Sequence, residues 1–235
     1  YSGEACDTMT NRFLVLFAAV AVLGCSTTTS GTQQEAAVPS FGFSWERSNL
    51  AAEDPATYAN VLNLLDSDKP MLALYREDLT HEAVVRFFVD LTGSPEITLP
   101  ILYHADRADI SLSLVFSLSW VESRYAPGAI NRNATSIDRG LFQLNSRTFV
   151  NLTEEDFFHP DTNTYHGIQY LAWCLEHTNS DWEAVAVYNA GLTRVRAGRT
   201  PQSTLIYVER IRQFRTRLDQ QFRQYMVREF PFHNT

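Results

Sequence analysis

Apolar residues recur every three or four positions through most of the chain, which is the spacing of one buried face of an α-helix. Asp54-Pro55 begins one predicted helix, and Thr80 begins another that ends before Gly93. Leu99 to Ala108 is predicted as a third. Because polar groups are not clustered in these helices, we interpret residues 41–100 as an N-terminal helical portion that packs on the remainder of the chain.

Two further helices are predicted downstream, each with a boundary signal. One follows Asn163 and ends near Asn179. Ser180 and Glu183 have the spacing of a capping box, in which Ser180 accepts from the backbone amide of Glu183 and the Glu183 side chain reaches back. Gly191 then occupies the position that favours a left-handed residue after a helix.

The last helix is predicted to begin at Thr200-Pro201 and to be long. Its apolar face is formed by Tyr207, Ile211, Phe214, Leu218, Phe222 and Tyr225. Its other face carries Arg210, Arg212, Arg217, Arg223 and Arg228. We interpret these arginines as a solvated surface, with contact to lipid phosphates or substrate carboxylates as the alternative.

The segment from Ser111 to Ser123 fits two structures. Its serines alternate with apolar residues at period two, which is typical of a strand. Leu114, Leu118 and Val121 are also spaced as one face of a helix, which Ser111 can cap. The local pattern leaves both alternatives open.

Composition excludes several classes of function. The chain has 235 residues, 45% of them hydrophobic, which is enough to form a core. Its net charge is −8 and Lys69 is its single lysine, so we expect no nucleic-acid binding. Cys6, Cys25 and Cys174 lie far apart without the spacing of a metal site, so we expect neither a disulfide framework nor a bound metal.

The N-terminal residues have the anatomy of a signal peptide. Met9 to Arg12 leads into an apolar run, Phe13 to Leu23, that is too short to span a bilayer. Residues 1–8 contain Glu4 and Asp7, which do not fit a signal start, so Met9 is the predicted initiator.

The end of this run, Val22-Leu23-Gly24-Cys25, resembles the lipobox of bacterial lipoproteins. The resemblance implies that 1–24 is removed and that Cys25 is lipidated; a plain secretory peptide or a buried helix is the alternative. Residues 25–40 are polar and low in complexity, which is typical of a flexible tether. Ser26 is not the Asp that marks inner-membrane retention, which favours the periplasmic face of the outer membrane.

Four short strings with chemically useful residues follow one another in the second half. They are Trp120-Val-Glu122-Ser123, Gly140-Leu-Phe-Gln143-Leu-Asn145, Val187-Tyr188-Asn189-Ala-Gly191 and Tyr207-Val-Glu-Arg-Ile. In this order they resemble the soluble lytic transglycosylase family, relatives of goose-type lysozymes, from about Ile101 to Phe214. Phe142 and Val187 stand where the family more often has Met and Ala.

The resemblance implies an all-α, lysozyme-like catalytic domain over 101–228, with a groove between two lobes and a tail at 229–235. It also implies a role for each matched residue. Glu122, at the end of a helix, is the catalytic acid/base, and Ser123 bonds near the substrate's N-acetyl group. Gln143 and Asn145 line the floor of the groove, while Tyr188, Asn189 and Tyr207 form the opposing wall.

A single catalytic carboxyl group favours cleavage without water. Delivering a proton near neutral pH requires that burial raise the pKa of Glu122. Goose-type lysozymes have Asp at the position matching Asn145, and the amide here cannot act as a base. The expected product is therefore a 1,6-anhydromuramyl end, formed from peptidoglycan by a monomer without a cofactor.

Two other functions stay open. Asp138 lies in the loop from Asn131 to Arg139 and could reach the groove. If it positions a water molecule, the enzyme is a lysozyme-like hydrolase. A catalytically inert lipoprotein that binds glycan in the same groove is the second alternative.

Overall fold

The computed structural model describes residues 55–231, and side chains from residue 60 onward. The predicted signal peptide, the tether, Cys25 and residues 41–54 lie outside the described residues.

Within the described range the chain forms ten helices and three short strands. They are α1 (Pro55–Leu65), α2 (Pro70–Arg76), α3 (Asp78–Thr92), α4 (Pro95–Arg107), α5 (Leu112–Ser123), β1 (Ile130–Arg132), β2 (Ile137–Arg139), β3 (Leu144–Asn145), α6 (Glu154–Phe158), α7 (Pro160–Glu176), α8 (Asp181–Ala190), α9 (Leu192–Arg196) and α10 (Gln202–Glu229). The predicted all-α class is confirmed, with one small sheet added.

The ends of the early helices follow their proline and glycine signals. Helix α1 begins at Pro55 as predicted. Helix α3 begins at Asp78, two residues before the predicted Thr80, and it ends at Thr92 as predicted, before Gly93, whose φ of +76° is the left-handed conformation that glycine favours. The predicted start of α4 at Leu99 is wrong. The helix begins at Pro95, because proline has the φ of a first helical turn and Ser94 before it is extended.

Helix α5 is the buried centre of the molecule, which resolves the choice between strand and helix. Its serines and its apolar residues are buried alike, so the period-two alternation does not separate an inner from an outer face. Inside the core the hydroxyl of Ser117 donates to Ser113 O at 2.5 Å, and that of Ser119 to Leu141 O. Ser111 precedes the helix but its side chain forms no capping bond.

The boundaries of α7 and α8 differ in detail from the prediction. Helix α7 begins at Pro160 rather than after Asn163, and it ends at Glu176. Ser180 accepts from the Glu183 amide at 3.2 Å as predicted. The Glu183 carboxylate does not close the box on Ser180, because it accepts from the Asn179 amide at 3.1 Å instead.

A small antiparallel sheet, which the sequence pattern did not predict, follows α5. Its strand order is β1-β2-β3, and Asp138 on β2 pairs with Asn131 on β1 and with Asn145 on β3. The register therefore brings one carboxylate between two amide side chains.

The described part of the N-terminal portion packs on the rest through aromatic rings. Phe88 of α3 stacks on Phe116 of α5 at 4.0 Å between centroids, and Phe87 meets Phe222 of α10 at 5.0 Å. Helix α4 runs through the predicted boundary at residue 100. The predicted tail begins too early, because Glu229 ends α10 and Phe230 is buried in the core.

Among residues 55–231, none of the helices combines the length and the apolar character that crossing a membrane requires.

Candidate active site

Glu122 lies in the last turn of α5, where the chain turns sharply. Arg124 and Tyr125 both adopt left-handed conformations, with φ of 58° and 61°. Consecutive non-glycine residues in this region are strained and persist only where the surroundings hold them. Here the buried Tyr125 hydroxyl donates to Phe116 O at 3.1 Å, which fixes the turn beside Glu122.

A pocket of about 200 Å³ opens at this turn. Its lining residues come from α5, from the small sheet and its loop, and from the end of α8. They are Glu122, Asn131, Asp138, Gln143, Tyr188 and Asn189. Four of the seven predicted active-site residues therefore line one pocket, and Tyr207 joins them by its bond to Glu122.

The carboxyl group of Glu122 is held in its neutral form. Although the side chain keeps some exposed surface in the pocket, protein atoms surround the carboxyl, and the lost hydration raises its pKa from 4.5 to about 8. A hydrogen bond from Tyr207 opposes this rise, and the negative charge of Asp138 adds to it. At neutral pH the group is a proton donor.

Tyr207 reaches Glu122 from the second turn of α10. Its hydroxyl donates to Glu122 Oε1 at 2.5 Å. Burial, followed by the charge of Glu122, raises the pKa of Tyr207 well above its ordinary value, so the phenol stays protonated and remains a donor. The other carboxyl oxygen, Oε2, is therefore the better place for the transferable proton.

Asp138 is the second carboxylate of the pocket. The sequence indicated it only as the residue that could position a water molecule. Oδ1 accepts from Asn145 Nδ2 at 2.6 Å, and Oδ2 accepts from Asn133 Nδ2 at 2.7 Å and Asn131 Nδ2 at 3.3 Å. An ionised carboxylate has about four acceptor positions, so three are already filled. The strand pairing that creates this cage cannot be found from a linear motif.

Asn145 supports the pocket from behind rather than lining it. Its amide donates to Asp138 and to Ser136 Oγ, and its carbonyl accepts from the Arg147 backbone. Asn145 is buried, so its predicted place on the floor is taken by Asp138.

Ser123 is also turned into the protein. Its hydroxyl donates toward Leu141 O at 2.9 Å, with Ser119 O at 3.1 Å as a second acceptor. Because its hydrogen is used internally, Ser123 has only lone pairs left to offer a substrate. Its predicted contact with an N-acetyl group stays a prediction.

Gln143 lies at a strained position in the pocket wall. Its φ is +46°, and its side-chain amide donates to Gly140 O at 2.9 Å and to Ala129 O at 3.2 Å. These bonds use the amide hydrogens, so the side-chain carbonyl is the group left for a ligand.

Tyr188 and Asn189 form the wall at the end of α8. The Tyr188 hydroxyl donates to Phe142 O at 2.9 Å, which ties this wall to the loop that carries Gln143. The Asn189 carbonyl accepts from Thr204 at 2.7 Å, which orients its amide nitrogen as a donor. Thr204 was not predicted, and its place one turn before Tyr207 is the signal that could have indicated it.

A buried amide behind the pocket connects the loop to α7. Asn163 Oδ1 accepts from the Phe142 backbone at 2.8 Å, while Nδ2 donates to Phe157 O at 2.8 Å and Arg139 O at 3.0 Å. Gly140 has a φ of +79°, and a Cβ there would lie 2.3 Å from Asn163 Nδ2. Only glycine fits so close to this amide.

The part of the chain that forms this pocket is similar in sequence to a known family of domains. Residues 100–206 match the model of the Transglycosylase SLT domain. The matched SLT region contains the first three sequence strings completely and ends one residue before Tyr207.

Similar proteins match a little under half of the chain. An Escherichia coli protein named "X polypeptide" is 35% identical over 109 residues, which is 43% of this chain and 63% of that protein. An "X polypeptide" of Escherichia coli strain K12 is 36% identical over 105 residues, or 42% of this chain and 61% of that protein. The chain therefore matches less than two thirds of the length of these relatives.

Proposed function

We propose that this chain is a lytic transglycosylase that remodels the cell wall by cutting peptidoglycan. The bond cleaved is the β-1,4 linkage between N-acetylmuramic acid and N-acetylglucosamine, and the product is a 1,6-anhydromuramyl end. The observation that carries the proposal is the Glu122 carboxyl, a neutral acid with a pKa of about 8 held by Tyr207 in a polar pocket. The match of residues 100–206 to the SLT domain supports it.

In the first step Glu122 acts as a general acid. Its Oε2 proton moves to the glycosidic oxygen, the bond from that oxygen to C1 of the muramyl residue breaks, and the N-acetylglucosamine leaves with a free hydroxyl. The carbonyl oxygen of the muramyl N-acetyl group shares electrons with C1. The developing positive charge also lies near Asp138, whose carboxylate stabilises it.

In the second step the same residue acts as a base. The Glu122 carboxylate takes the proton from the hydroxyl on C6 of the muramyl residue. That oxygen bonds to C1 and displaces the N-acetyl oxygen, which closes the anhydro ring. Glu122 is protonated again, and no water is consumed.

A lysozyme-like hydrolase is the second candidate, and Asp138 is the observation that favours it. This carboxylate shares the pocket with Glu122, as the two carboxyl groups of a glycosidase do. Three amide donors already occupy Asp138, which leaves one acceptor position for a water molecule. The match to the Transglycosylase SLT domain makes the transglycosylase the better supported function.

Digestion of purified sacculi distinguishes the candidates. Muropeptides released by a transglycosylase are lighter by one water than those of a hydrolase, which mass spectrometry resolves. Glu122→Gln should release none while still binding sacculi. Products that carry the added water would establish the hydrolase, and a wild-type protein that binds but releases nothing would establish an inert glycan-binding protein.

We further propose that Cys25 carries a lipid that anchors the enzyme as a monomer to the periplasmic face of the outer membrane. The basis is the lipobox-like sequence before Cys25 and the polar tether after it. Cys25→Ala should move the protein from the membrane fraction to the soluble fraction. Unchanged fractionation would contradict the anchor.

A further inference from the structure

Two arginines lie beside the active site without an acidic partner. Arg124 follows Glu122 by two residues, and Arg210 follows Tyr207 by three, which is about one turn of α10. Both side chains are exposed. Within residues 60–231, neither arginine forms an ion pair with an acidic side chain.

Arg124 is held in place by stacking rather than by charge. Its guanidinium carbon lies 3.4 Å from the centroid of the Trp120 ring, and the other side of that ring stacks on Phe214 at 4.3 Å. A guanidinium that lies flat on an indole keeps its N–H groups directed sideways, in the fork that matches a carboxylate.

The two cations also oppose each other. Partial burial, and then the positive charge of Arg210, lower the pKa of Arg124. Arg210 lies one turn before Phe214 on α10, and Phe214 stacks on the Trp120 ring that carries Arg124, so both cations lie on the same surface beside the pocket. An anion between them relieves their repulsion.

From this geometry we infer that Arg124, stacked on Trp120, and Arg210 form a carboxylate-binding subsite for the acidic substituent of the muramyl residue. The inference rests on the proposed function, because the sugar backbone of peptidoglycan is neutral and its carboxylates lie on the stem peptides, or on the lactyl ether where the peptide has been removed. Binding there draws the substituent to one side of Glu122 and so sets the register of the strand in the pocket.

The test compares native sacculi with sacculi whose free carboxylates have been converted to methylamides. Arg124→Gln and Arg210→Gln should each lower kcat/KM about tenfold on native material and leave it unchanged on the amidated material. Arg124→Lys should fall between wild type and Arg124→Gln, because it keeps the charge but not the planar fork. The ratio of kcat/KM on the two materials does not depend on how much of the variant enzyme is folded.

Arg212→Gln is the matched control. Arg212 is also an exposed arginine of α10 near a tryptophan ring, 5.1 Å from the centroid of Trp182, but it points away from Arg210 on the helix. It should cleave both materials as the wild type does. Equal losses on both materials for Arg124→Gln would overturn the subsite while leaving the proposed function standing.

Two further arms complete the design. Amidase treatment removes the stem peptide and frees the lactyl carboxylate, which intact strands carry as an amide. A loss of kcat/KM for Arg124→Gln that persists on these strands assigns the subsite to a carboxylate at the lactyl position, and a loss that disappears assigns it to the peptide. Cosedimentation of Glu122→Gln protein with native and amidated sacculi measures binding without turnover. Weaker binding to native sacculi alone on adding Arg124→Gln would support the subsite even if the wild type releases no product, and unchanged binding would overturn it.

Discussion

The hydroxyl of Tyr207 donates to Glu122 Oε1 at 2.5 Å, across 85 residues of sequence. The bond joins the last turn of the buried helix α5 to the second turn of α10. It sets the charge of the acid as well as its position, because it lowers the pKa of Glu122 while burial and Asp138 raise it to about 8.

The first prediction concerns the alkaline limb of the pH profile. The proposed mechanism requires protonated Glu122, so kcat/KM should fall above about pH 8. Tyr207→Phe removes a bond that lowers this pKa, so the limb should move to higher pH while the maximum rate falls by about tenfold or more. Tyr165→Phe, which changes an exposed tyrosine on α7, is the control. A limb that stays in place would show that Tyr207 does not govern the acid.

Asp138→Asn should shift the same limb in the opposite direction. Loss of the negative charge beside Glu122 lowers the pKa of the acid, so activity should begin to fall at lower pH. The maximum rate should also drop, because the positively charged intermediate loses a stabilising neighbour. The pH profile is measured together with product mass. An unshifted limb would mean that the two carboxyl groups do not interact.

At high pH, Glu122→Gln should have a larger free energy of unfolding than the wild type. Between about pH 4.5 and pH 8 the folded protein holds a proton on Glu122 that the unfolded chain has released, so wild-type stability falls through this window. The glutamine variant lacks this dependence and should unfold at higher denaturant concentration above about pH 8, by roughly 2–4 kcal/mol after allowance for partial exposure. Equal stability of the two proteins across the window would contradict a raised pKa.

Asn163→Asp should destabilise the wall of the pocket. The carboxylate can still accept from the Phe142 amide but cannot donate to Phe157 O or Arg139 O. Leaving two buried carbonyls without donors should cost about 2–4 kcal/mol of unfolding free energy. Asn179→Asp, at an exposed position after α7, is the matched control and should unfold like the wild type. A normal melting temperature for Asn163→Asp would contradict this role.

Three helix boundaries were predictable because their signals are local. Gly93, Ser180 and Gly191 act on their own backbone or on an amide three residues away, so their positions in the sequence were enough. Helix α5 was not predictable in this way. The Ser117 hydroxyl bonds to a carbonyl of its own helix and the Ser119 hydroxyl to Leu141 O, so both are satisfied while buried. A local pattern cannot show that both sides of a segment are buried.

For the site, the sequence by itself identified the candidate acid Glu122 and three residues predicted to lie around it. These residues, Gln143, Tyr188 and Asn189, stand in contiguous strings, and all of them line the pocket with Glu122. Only the tertiary structure decided which groups act on that acid. Asp138 faces it because of strand register, Tyr207 reaches it because α10 packs on α5, and Asn145 supports Asp138 instead of the substrate. Motifs specify side chains along the chain, but a pKa depends on distances and burial, which exist only after distant segments have packed together.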